Sequence, residues 1–426
     1  MNFNVLPSLV ALAILVVVFE AILRRGAADR LQLWLTGWIL VLIHFVAQFV
    51  DVGHGLWEHT ASAVSLGALE LASISFLISM SPGATDRRRQ LLLGAILGLP
   101  ALAYTTAVIW DLTAHSFYYG VVLVAFAATS LLAWNWYHET LSYLLGLLLA
   151  SAMFSSVLVW TVARNHADLG INVILAGLNF VVAVLYWRHF QRATAGVLTT
   201  VFGFTVWGAV FPIGIFLQLY SPSTIIASET WNIPKYFVAV GMILTLLEDQ
   251  IHKNEYLAYH DALTGLPNRR LLEDRLEQAL AQAARAGHKV AVLLIDLDRF
   301  KEVNDTFGHR IGDLALQQVV LRLSSRMRAA DTLARSGGDE FTVVSAVSDE
   351  HGADILMSAL ASALAVPLKV EGHFIQTGLS IGVALYPDHG HTEDELRAVA
   401  DHAMYLAKRG ARRSENVIAF RQSQPN

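Results

Sequence analysis

The sequence predicts two fold classes in one chain, a multi-pass α-helical membrane domain over residues 1–248 and an α/β (α+β) domain over residues 261–422. The 426 residues are 55% hydrophobic and 15% charged, with a mean hydropathy of +0.49, whereas soluble proteins carry about 25% charged residues. Apolar runs long enough to cross a bilayer end near residue 248, and a soluble composition follows. The net charge of −5 gives no reason to expect nucleic acid as a partner, and the lack of cysteine excludes disulfide and thiolate chemistry.

Nine segments qualify as membrane spans, because a spanning helix needs about 20 mostly apolar residues. The first is predicted to be retained rather than cleaved as a signal peptide, since it lacks a basic start, contains Glu20 and is followed by Arg24 and Arg25. The ninth is short and begins with Pro234-Lys235, so eight spans are the alternative. The segments cover approximately residues 5–23, 31–50, 61–81, 91–110, 118–134, 142–162, 171–188, 197–220 and 234–248.

Basic residues in the connecting loops predict the orientation of the spans. They follow the first, third and seventh spans, whereas the alternate loops DVGHGLWEHT, DLTAHSF and SPSTIIASETWN contain no Lys or Arg; the loop near Arg164 is the exception. We therefore predict that the N-terminus lies outside and the C-terminal domain lies in the cytoplasm. Eight spans would place that domain outside, against the charge bias. The basic residues are Arg24, Arg25, Arg30, Arg87, Arg88, Arg89, Arg188 and Arg192.

Several polar side chains lie within the predicted spans, where they are costly in hydrocarbon. Two interpretations stay open: a site for a metal, haem or acidic ligand, or helix–helix hydrogen bonds and interfacial polar residues. The HGLWEH pattern is not the spacing of a known zinc motif, so it predicts no metal. The residues are Glu20, His44 with Gln48, Glu70 and Asn179 in the spans, and His54, Glu58, His59, Asp111, His115 and His166 in the outer loops.

A linker is predicted over residues 245–260. Leu247, Ile251 and Ala258, with Asn254 in the remaining position, follow alternating three- and four-residue steps, which is the spacing of a heptad seam. The seam covers barely two heptads. It is consistent with a parallel dimeric stalk that transmits a shift or twist from the membrane, and equally with a single amphipathic linker helix.

The soluble part alternates strand and helix patterns. Val290 to Ile295 form a near-continuous apolar run, typical of a buried strand. The run ends in Asp296 and Asp298, whose side chains would share one face of a strand. Carboxylates at the end of a buried strand suit a divalent cation.

Two strand-like segments, DTLAR and EFTVV, flank Gly337-Gly338-Asp339. They predict a β-hairpin in which the glycines supply positive φ. Helices follow near residues 316–327, 350–364 and 393–408, with a strand in QTGLSIGVALY and a last strand near NVIAF. The order resembles βαββαβ and predicts a ferredoxin-like sheet with helices on one face.

This half of the chain resembles the GGDEF family of diguanylate cyclases. The resemblance rests on the motifs DALTGLPNRR, DLDRFKEVNDTFGHRIGD, RSGGDEF, SIGVALYP and ADHAMYLAK, between residue 261 and about residue 420. It implies a fold like the palm of nucleotidyl cyclases and polymerases. It also implies that two GTP molecules, one on each subunit of a homodimer, condense into cyclic di-GMP and two pyrophosphates. Such phosphoryl transfer needs Mg²⁺ or Mn²⁺ and an aligned 3′-hydroxyl.

The resemblance further implies roles for residues at matching motif positions. Metal ligands are Asp296, Asp339 and the backbone carbonyl of Leu297, and Glu340 either helps metal binding or activates the 3′-hydroxyl, so Asp339 and Glu340 are the catalytic pair. The remaining positions are Asn304 and Asp313 for guanine, Gly337 and Gly338 for close approach of the backbone to the nucleotide, Lys301, Lys408 and Arg412 for phosphates, and Asp298, Asp261 and Asp401 for local structure. The chain departs from the family after Lys408, where it reads Arg409-Gly410-Ala411-Arg412-Arg413 and Arg413 replaces the usual Asn.

A second site is implied by Arg328 and Asp331, an RxxD pattern with five residues between Asp331 and Gly337. In the family this offset marks an inhibitory site for cyclic di-GMP, whose phosphates and guanines suit Arg and Asp; the alternative is a helix-terminal salt bridge. Two other functions remain as alternatives to a regulated cyclase. One is a catalytically silent receptor for GTP or cyclic di-GMP, and the other, ranked last, is a transporter with a regulatory domain.

Overall fold

The computed structural model describes residues 3–24, 30–50, 55–81, 86–137, 141–220 and 230–411. The predicted last strand near NVIAF and the predicted phosphate ligand Arg412 lie outside these ranges. The chain divides into two compact units between Asp249 and Gln250, and each is described by itself.

Within the described ranges of the first unit, nine helices are long and apolar enough to cross a membrane. Each predicted span overlaps one of them. The ninth helix runs for 27 residues, well beyond the short ninth span, because the chain continues into the predicted linker without Pro or Gly. The helices are α1 (Leu6–Leu23), α2 (Arg30–Val50), α3 (Leu56–Ser79), α4 (Arg87–Ile109), α5 (His115–Tyr137), α6 (Leu141–Ala163), α7 (Ala167–Phe190), α8 (Ala195–Tyr220) and α9 (Ile233–Tyr259).

Aromatic side chains form the core of the first unit around α3. The Phe76 ring lies 5.5 Å from the rings of both Trp38 on α2 and Phe204 on α8. A Cβ added to Gly37 would lie 2.4 Å from the Phe76 ring, so glycine permits the close approach of α2 and α3. Small residues that let helices approach closely are a common feature of packing between membrane helices.

Polar residues predicted within the spans form hydrogen bonds with helix residues. The His44 ring lies 3.0 Å from the Ser65 carbonyl oxygen on α3. Thr105 on α4 donates to Glu70 Oε1 at 2.5 Å, whereas the buried Oε2 has no partner within the described residues. Asn179 donates to the Leu175 carbonyl of its own helix. In the part of the chain that the structure describes, no three His, Asp or Glu side chains form a group that could hold a metal ion.

The second unit alternates helices and strands after the last turn of α9. The elements are α10 (Arg269–Ala286), β1 (Lys289–Leu297), α11 (Phe300–Phe307), α12 (His309–Ser324), β2 (Thr332–Gly337), β3 (Glu340–Val347), α13 (Glu350–Ala363), β4 (Leu368–Val370), β5 (His373–Ile375), β6 (Leu379–Tyr386) and α14 (Glu393–Ala411). Four of the strands form an antiparallel sheet with the order β2-β3-β1-β6. The sequence analysis did not predict α10 or the short β4–β5 hairpin.

Helices cover both faces of this sheet, so the prediction of helices on one face is wrong. Leu293 and Ile295 of β1 pack in one cluster with α11, α12 and α13, while Val290 and Val292 pack in another with α10 and α14. Successive residues of a strand point to opposite faces, and here both sets are apolar. Each face therefore requires a layer of helices to exclude water.

Candidate active site at the glycine-rich hairpin

The hairpin between β2 and β3 places Asp339 and Glu340 at its tip. Gly337 pairs with Glu340, and a register shift lies between Arg335 and Gly337. Gly338 has φ 53°, in the left-handed region that glycine adopts at little cost. Among the described residues, no atom outside the adjoining ones lies within 4 Å of a Cβ built on either glycine, so the backbone at the tip stays open to a ligand.

The central strand brings Asp296 opposite this tip. Asp296 pairs with Glu340 in the β1–β3 register, and the Leu297 amide donates to the Asp339 carbonyl at 3.2 Å. Asp296 is only 5% exposed. Lys408 on α14 donates to Asp296 Oδ2 at 2.7 Å, while the buried Oδ1 has no partner within the described residues.

Burial and neighbouring charges perturb these groups. Burial raises the pKa of Asp296, the Lys408 contact opposes it, and the charges of Asp339 and Asp298 raise it further. Desolvation and then the charges of Asp296 and Asp339 raise the pKa of Glu340. Burial lowers the pKa of Lys408, but the hydrogen bond and charge of Asp296 outweigh it and raise the pKa. The raised pKa values of Asp296 and Glu340 therefore reflect burial together with the proximity of like charges.

The donor chemistry of this cluster fits a divalent cation. Carboxylate and carbonyl oxygens are the ligands that Mg²⁺ prefers. The unpartnered Asp296 Oδ1 is one such donor, and Asp339 and Glu340 lie close enough to shift the pKa of their neighbours. Within the described ranges the three carboxylates do not close into one ligand group. Asp298 lies beyond the end of β1 and accepts from Ser380 Oγ at 2.6 Å, which fits the predicted role in local structure.

A cleft of about 220 Å³ adjoins the hairpin. It brings together five predicted residues, namely Lys301, Asn304, Asp313, Gly338 and Asp339, and it also includes Phe300, His309, Leu316 and Arg335. A Cβ on Gly312 would lie 1.9 Å from Asn304 Oδ1, so the glycine of HRIGD lets α12 pack directly against the Asn304 side chain. Among the predicted phosphate ligands, Lys301 lies in the cleft and Lys408 contacts Asp296.

The sequence analysis assigned no role to Arg335, which the structure places at the hairpin. Its guanidinium donates twice to the Gly338 carbonyl, at 2.9 and 2.6 Å, and once to Asp261 Oδ1 at 2.8 Å. The position of Arg335, two residues before the paired glycines, could have indicated this role. A hairpin tip made of glycines has no side chains to pack, so a nearby side chain must support it.

At the RxxD pattern, Asp331 closes the turn that precedes β2. The Arg328 amide donates to Asp331 Oδ2 at 2.8 Å, and Ser345 Oγ donates to Oδ1 at 2.6 Å. The Arg328 side chain is exposed. The pair is therefore adjacent, with the cation directed to solvent beside an ordered carboxylate.

Comparison with known families decides the class of the second unit. Residues 258–414 match the family model described as "Diguanylate cyclase, GGDEF domain". The second unit contains a GGDEF domain. The interpretation of the C-terminal motifs as those of a GGDEF domain is thereby confirmed.

Two curated relatives of the GGDEF domain come from Pseudomonas aeruginosa. The bifunctional diguanylate cyclase/cyclic di-GMP phosphodiesterase MucR is 46% identical over 170 residues, which are 40% of this chain and 24% of MucR. The diguanylate cyclase TpbB is 43% identical over 174 residues, which are 40% of each chain. This chain thus spans less than half the length of these relatives.

Solved structures include similar GGDEF domains. The crystal structure of the TpbB GGDEF domain is 41% identical and covers 35% of this chain and 93% of its own, with a TM-score of 0.34. The GGDEF domain of DgcB from Caulobacter crescentus, in complex with cyclic di-GMP, is 28% identical and covers 36% of this chain and 91% of its own, with a TM-score of 0.34.

Proposed function

We propose that this chain is a membrane-anchored diguanylate cyclase that condenses two GTP molecules into cyclic di-GMP and two pyrophosphates. The observation that carries the proposal is the adjacency of two features: the carboxylates of Asp296, Asp339 and Glu340, and the cleft that contains Asn304 and Asp313. The carboxylates suit the chemistry of a metal-bound triphosphate, and the cleft suits a purine base. At about 220 Å³ the cleft is smaller than ligand pockets of roughly 300–1,000 Å³, so it accommodates one end of the nucleotide.

Guanine is the end that the cleft residues favour. A carboxylate such as Asp313 can accept both the N1–H and the N2–H₂ of guanine, and adenine lacks this donor pair. Asn304, held against Gly312, adds a side-chain amide with one acceptor and two donors. Because a site built to hydrogen-bond a substrate strongly rejects analogues that lack the matching group, the enzyme should discriminate GTP from ATP.

The triphosphate would extend along the glycine backbone towards Asp296. Lys301, Lys408 and Arg412 are the cations assigned to it. Mg²⁺ or Mn²⁺, held by Asp296, Asp339, Glu340 and the Leu297 carbonyl, would neutralise phosphate charge. The raised pKa of Glu340 makes its carboxylate a stronger base for the proton of the 3′-hydroxyl. The 3′-oxygen then bonds to the α-phosphorus of the other GTP as that atom's bond to the pyrophosphate breaks.

Two chains must meet for this chemistry, because each GGDEF domain is assigned one GTP. The exposed apolar side chains of Leu247 and Ile251 on α9 support a parallel homodimer, since they lie on the predicted heptad seam. The first unit would anchor the dimer in the lipid bilayer of the bacterial inner membrane with the N-terminus outside and the GGDEF domain in the cytoplasm. From the membrane, the first unit would regulate the cyclase in response to a signal that it receives there.

Cyclic di-GMP would also bind at Arg328 and Asp331 and inhibit the enzyme. Arg328 is exposed and free to pair with a phosphate or stack on a guanine, while Asp331 is held in place by the Arg328 amide and Ser345. An ordered carboxylate beside a mobile cation loses less entropy on binding than two mobile groups do.

The test is turnover by the full chain in lipid nanodiscs with GTP and Mg²⁺ or Mn²⁺. The wild type should release cyclic di-GMP with two pyrophosphates per product and give no dinucleotide from ATP. Asp339→Asn should lower kcat by about 10³-fold or more. Asp349→Asn is the matched control, because Asp349 caps α13 through the Gly352 amide and Asn caps helices equally well. Tight GTP binding without any dinucleotide would support the receptor instead.

A further inference from the structure

The last turn of α9 is fixed to the segment that follows it. The Asn268 amide donates to the Tyr259 carbonyl at 2.9 Å, and Asn268 Nδ2 donates to the Ala258 carbonyl at 2.9 Å. The Arg270 guanidinium lies over the Tyr259 ring at 5.1 Å. Residues 260–270 therefore follow any movement of the end of α9.

Asp261 lies in this segment and its carboxylate is held in one orientation. Its Oδ1 accepts from the Thr264 amide at 2.9 Å and from Thr264 Oγ1 at 2.6 Å. Its own amide donates to the Leu266 carbonyl at 2.8 Å. The fixed carboxylate offers a defined anchoring point for a cation.

Arg335 joins this anchoring point to the hairpin tip. One guanidinium nitrogen donates to Asp261 Oδ1, two others donate to the Gly338 carbonyl, and the Arg335 amide donates to the Pro267 carbonyl at 2.9 Å. The Arg335 side chain is 11% exposed. The guanidinium reaches the two acceptors through three separate nitrogens, whereas the one ammonium nitrogen of Lys would have to lie within hydrogen-bond distance of both acceptors itself.

The Gly338 carbonyl belongs to the peptide group that leads into Asp339. Holding this carbonyl fixes the orientation of the peptide and hence the start of the Asp339 and Glu340 backbone. A Cβ built on either hairpin glycine would meet none of the described atoms outside the adjoining residues within 4 Å, so side-chain packing at these two positions does not hold the tip. We propose that Arg335 is a positioning residue that ties the catalytic hairpin to Asp261, so that the end of α9 sets the position of Asp339 and Glu340. This inference rests on the proposed function and adds a route of regulation to it.

Arg335 also lines the cleft, so it could instead contact the nucleotide directly. Asp261 does not line that cleft and can act only through its neighbours. The two roles therefore predict different behaviour for Asp261→Asn, which keeps the acceptor for Thr264 but removes the charge facing Arg335. If Arg335 positions the hairpin through Asp261, Asp261→Asn should lower activity. If Arg335 instead contacts the substrate, Asp261→Asn should leave activity unchanged.

The experiment compares Arg335→Lys, Asp261→Asn and the double variant in the full chain, with kcat and KM for GTP measured separately. Misplacement of a catalytic group by about 1 Å costs about 10²-fold. We expect kcat to fall about 10- to 100-fold in Arg335→Lys and about 5- to 20-fold in Asp261→Asn, with KM changed less than about threefold. The double variant should match Arg335→Lys within about twofold, because coupled residues are not additive.

Arg322→Lys is the matched control. Arg322 also donates to backbone carbonyls, those of Val366 and Pro367, but away from the hairpin. This variant should keep kcat within about twofold of the wild type. Hydrogen exchange of the amides in residues 338–341, measured without nucleotide, should quicken at least about fivefold in the Arg335 and Asp261 variants and remain unchanged in the control.

The two measurements separate the possible failures. A raised KM for Arg335→Lys with unchanged Asp261→Asn would overturn the positioning role in favour of a substrate contact. Additive losses, or unchanged hairpin exchange in both variants, would also overturn it. If the wild type makes no dinucleotide, the proposed function fails, and hairpin exchange still decides whether Arg335 holds the tip.

Discussion

A buried carboxylate in each unit shows how differently the two units handle charge. Glu70 in the first unit is fully buried, accepts one hydrogen bond from Thr105 and has no second partner among the described residues. Asp296 in the second unit is also buried, but it faces Lys408 and lies beside Asp339 and Glu340. An isolated carboxyl in hydrocarbon can be neutral and structural, whereas gathered carboxylates repel one another and are stabilised by a cation or by protonation. The comparison assigns the chemistry to the GGDEF domain.

The largest expected effect separates these two carboxylates. Asp296→Asn should lower kcat by about 10³-fold or more, because it removes a buried oxygen charge from the cluster. Glu70→Gln should leave turnover in nanodiscs within about threefold, since Gln can still accept from Thr105. Equal losses in the two variants, measured as cyclic di-GMP release, would show that the first unit takes part in the chemistry and would break the comparison.

Two glycines give the next largest contrast. A Cβ on Gly312 would lie 1.9 Å from Asn304 Oδ1, whereas a Cβ on Gly146 of α6 would meet no described atom within 4 Å beyond its own helix turn. Gly312→Ala should displace Asn304, raise KM for GTP about 10- to 100-fold and weaken discrimination against ATP. Gly146→Ala should leave both quantities unchanged. Nucleotide titrations check this, and an unaltered GTP/ATP ratio in Gly312→Ala would remove Asn304 from guanine recognition.

Product inhibition tests whether a charged group outside the hairpin also has a function. Arg328→Ala should raise the inhibition constant of cyclic di-GMP about tenfold, because a charge-assisted contact is lost. Arg326→Ala, which removes another exposed arginine two residues earlier, should not change it. If both variants, or neither, shift the inhibition constant, the RxxD pattern is not a specific product site.

The smallest expected effect is a change in the Tm of a variant at Asp261, the carboxylate that anchors Arg335. Burial raises the pKa of Asp261, but hydrogen bonds from Thr264 and Arg335 outweigh it and leave the pKa below its usual value. A lowered folded pKa adds stability above the unfolded value of about 3.9, and that stability is lost as pH falls through the folded pKa. The Tm of Asp261→Asn should therefore lie about 2–4 °C below wild type at pH 7, with a gap that narrows as pH falls below about 3.9. A gap that widens towards acid would contradict the assignment.

The sequence predicted most of the fold from local patterns. Apolar runs of about 20 residues located the nine helices, but they could not show that α9 continues to Tyr259, because its last three turns are polar. The β4 and β5 strands have three residues each, too few for periodicity to reveal. The continuous apolar run from Val290 to Ile295 did contain the signal that both faces of the sheet are covered.

The family resemblance predicted several residues of the cleft, among them Lys301, Asn304 and Asp313, which lie on the successive helices α11 and α12. The motifs did not predict which side chains from distant segments contact one another. Lys408 meets Asp296 across 112 residues, and Arg335 reaches Asp261 across 74 residues. Such pairs depend on how helices pack on the sheet, which no local pattern specifies.

The central claim is that the acids gathered at the hairpin hold a divalent cation for GTP. Binding of Mn²⁺ to the full chain with a non-hydrolysable GTP analogue, followed by electron paramagnetic resonance, tests it most directly. The account predicts saturable binding in the wild type, in Glu70→Gln and in Asp349→Asn, and a loss of affinity of at least about tenfold in Asp296→Asn and Asp339→Asn. Undiminished binding in both of the latter variants would contradict the claim.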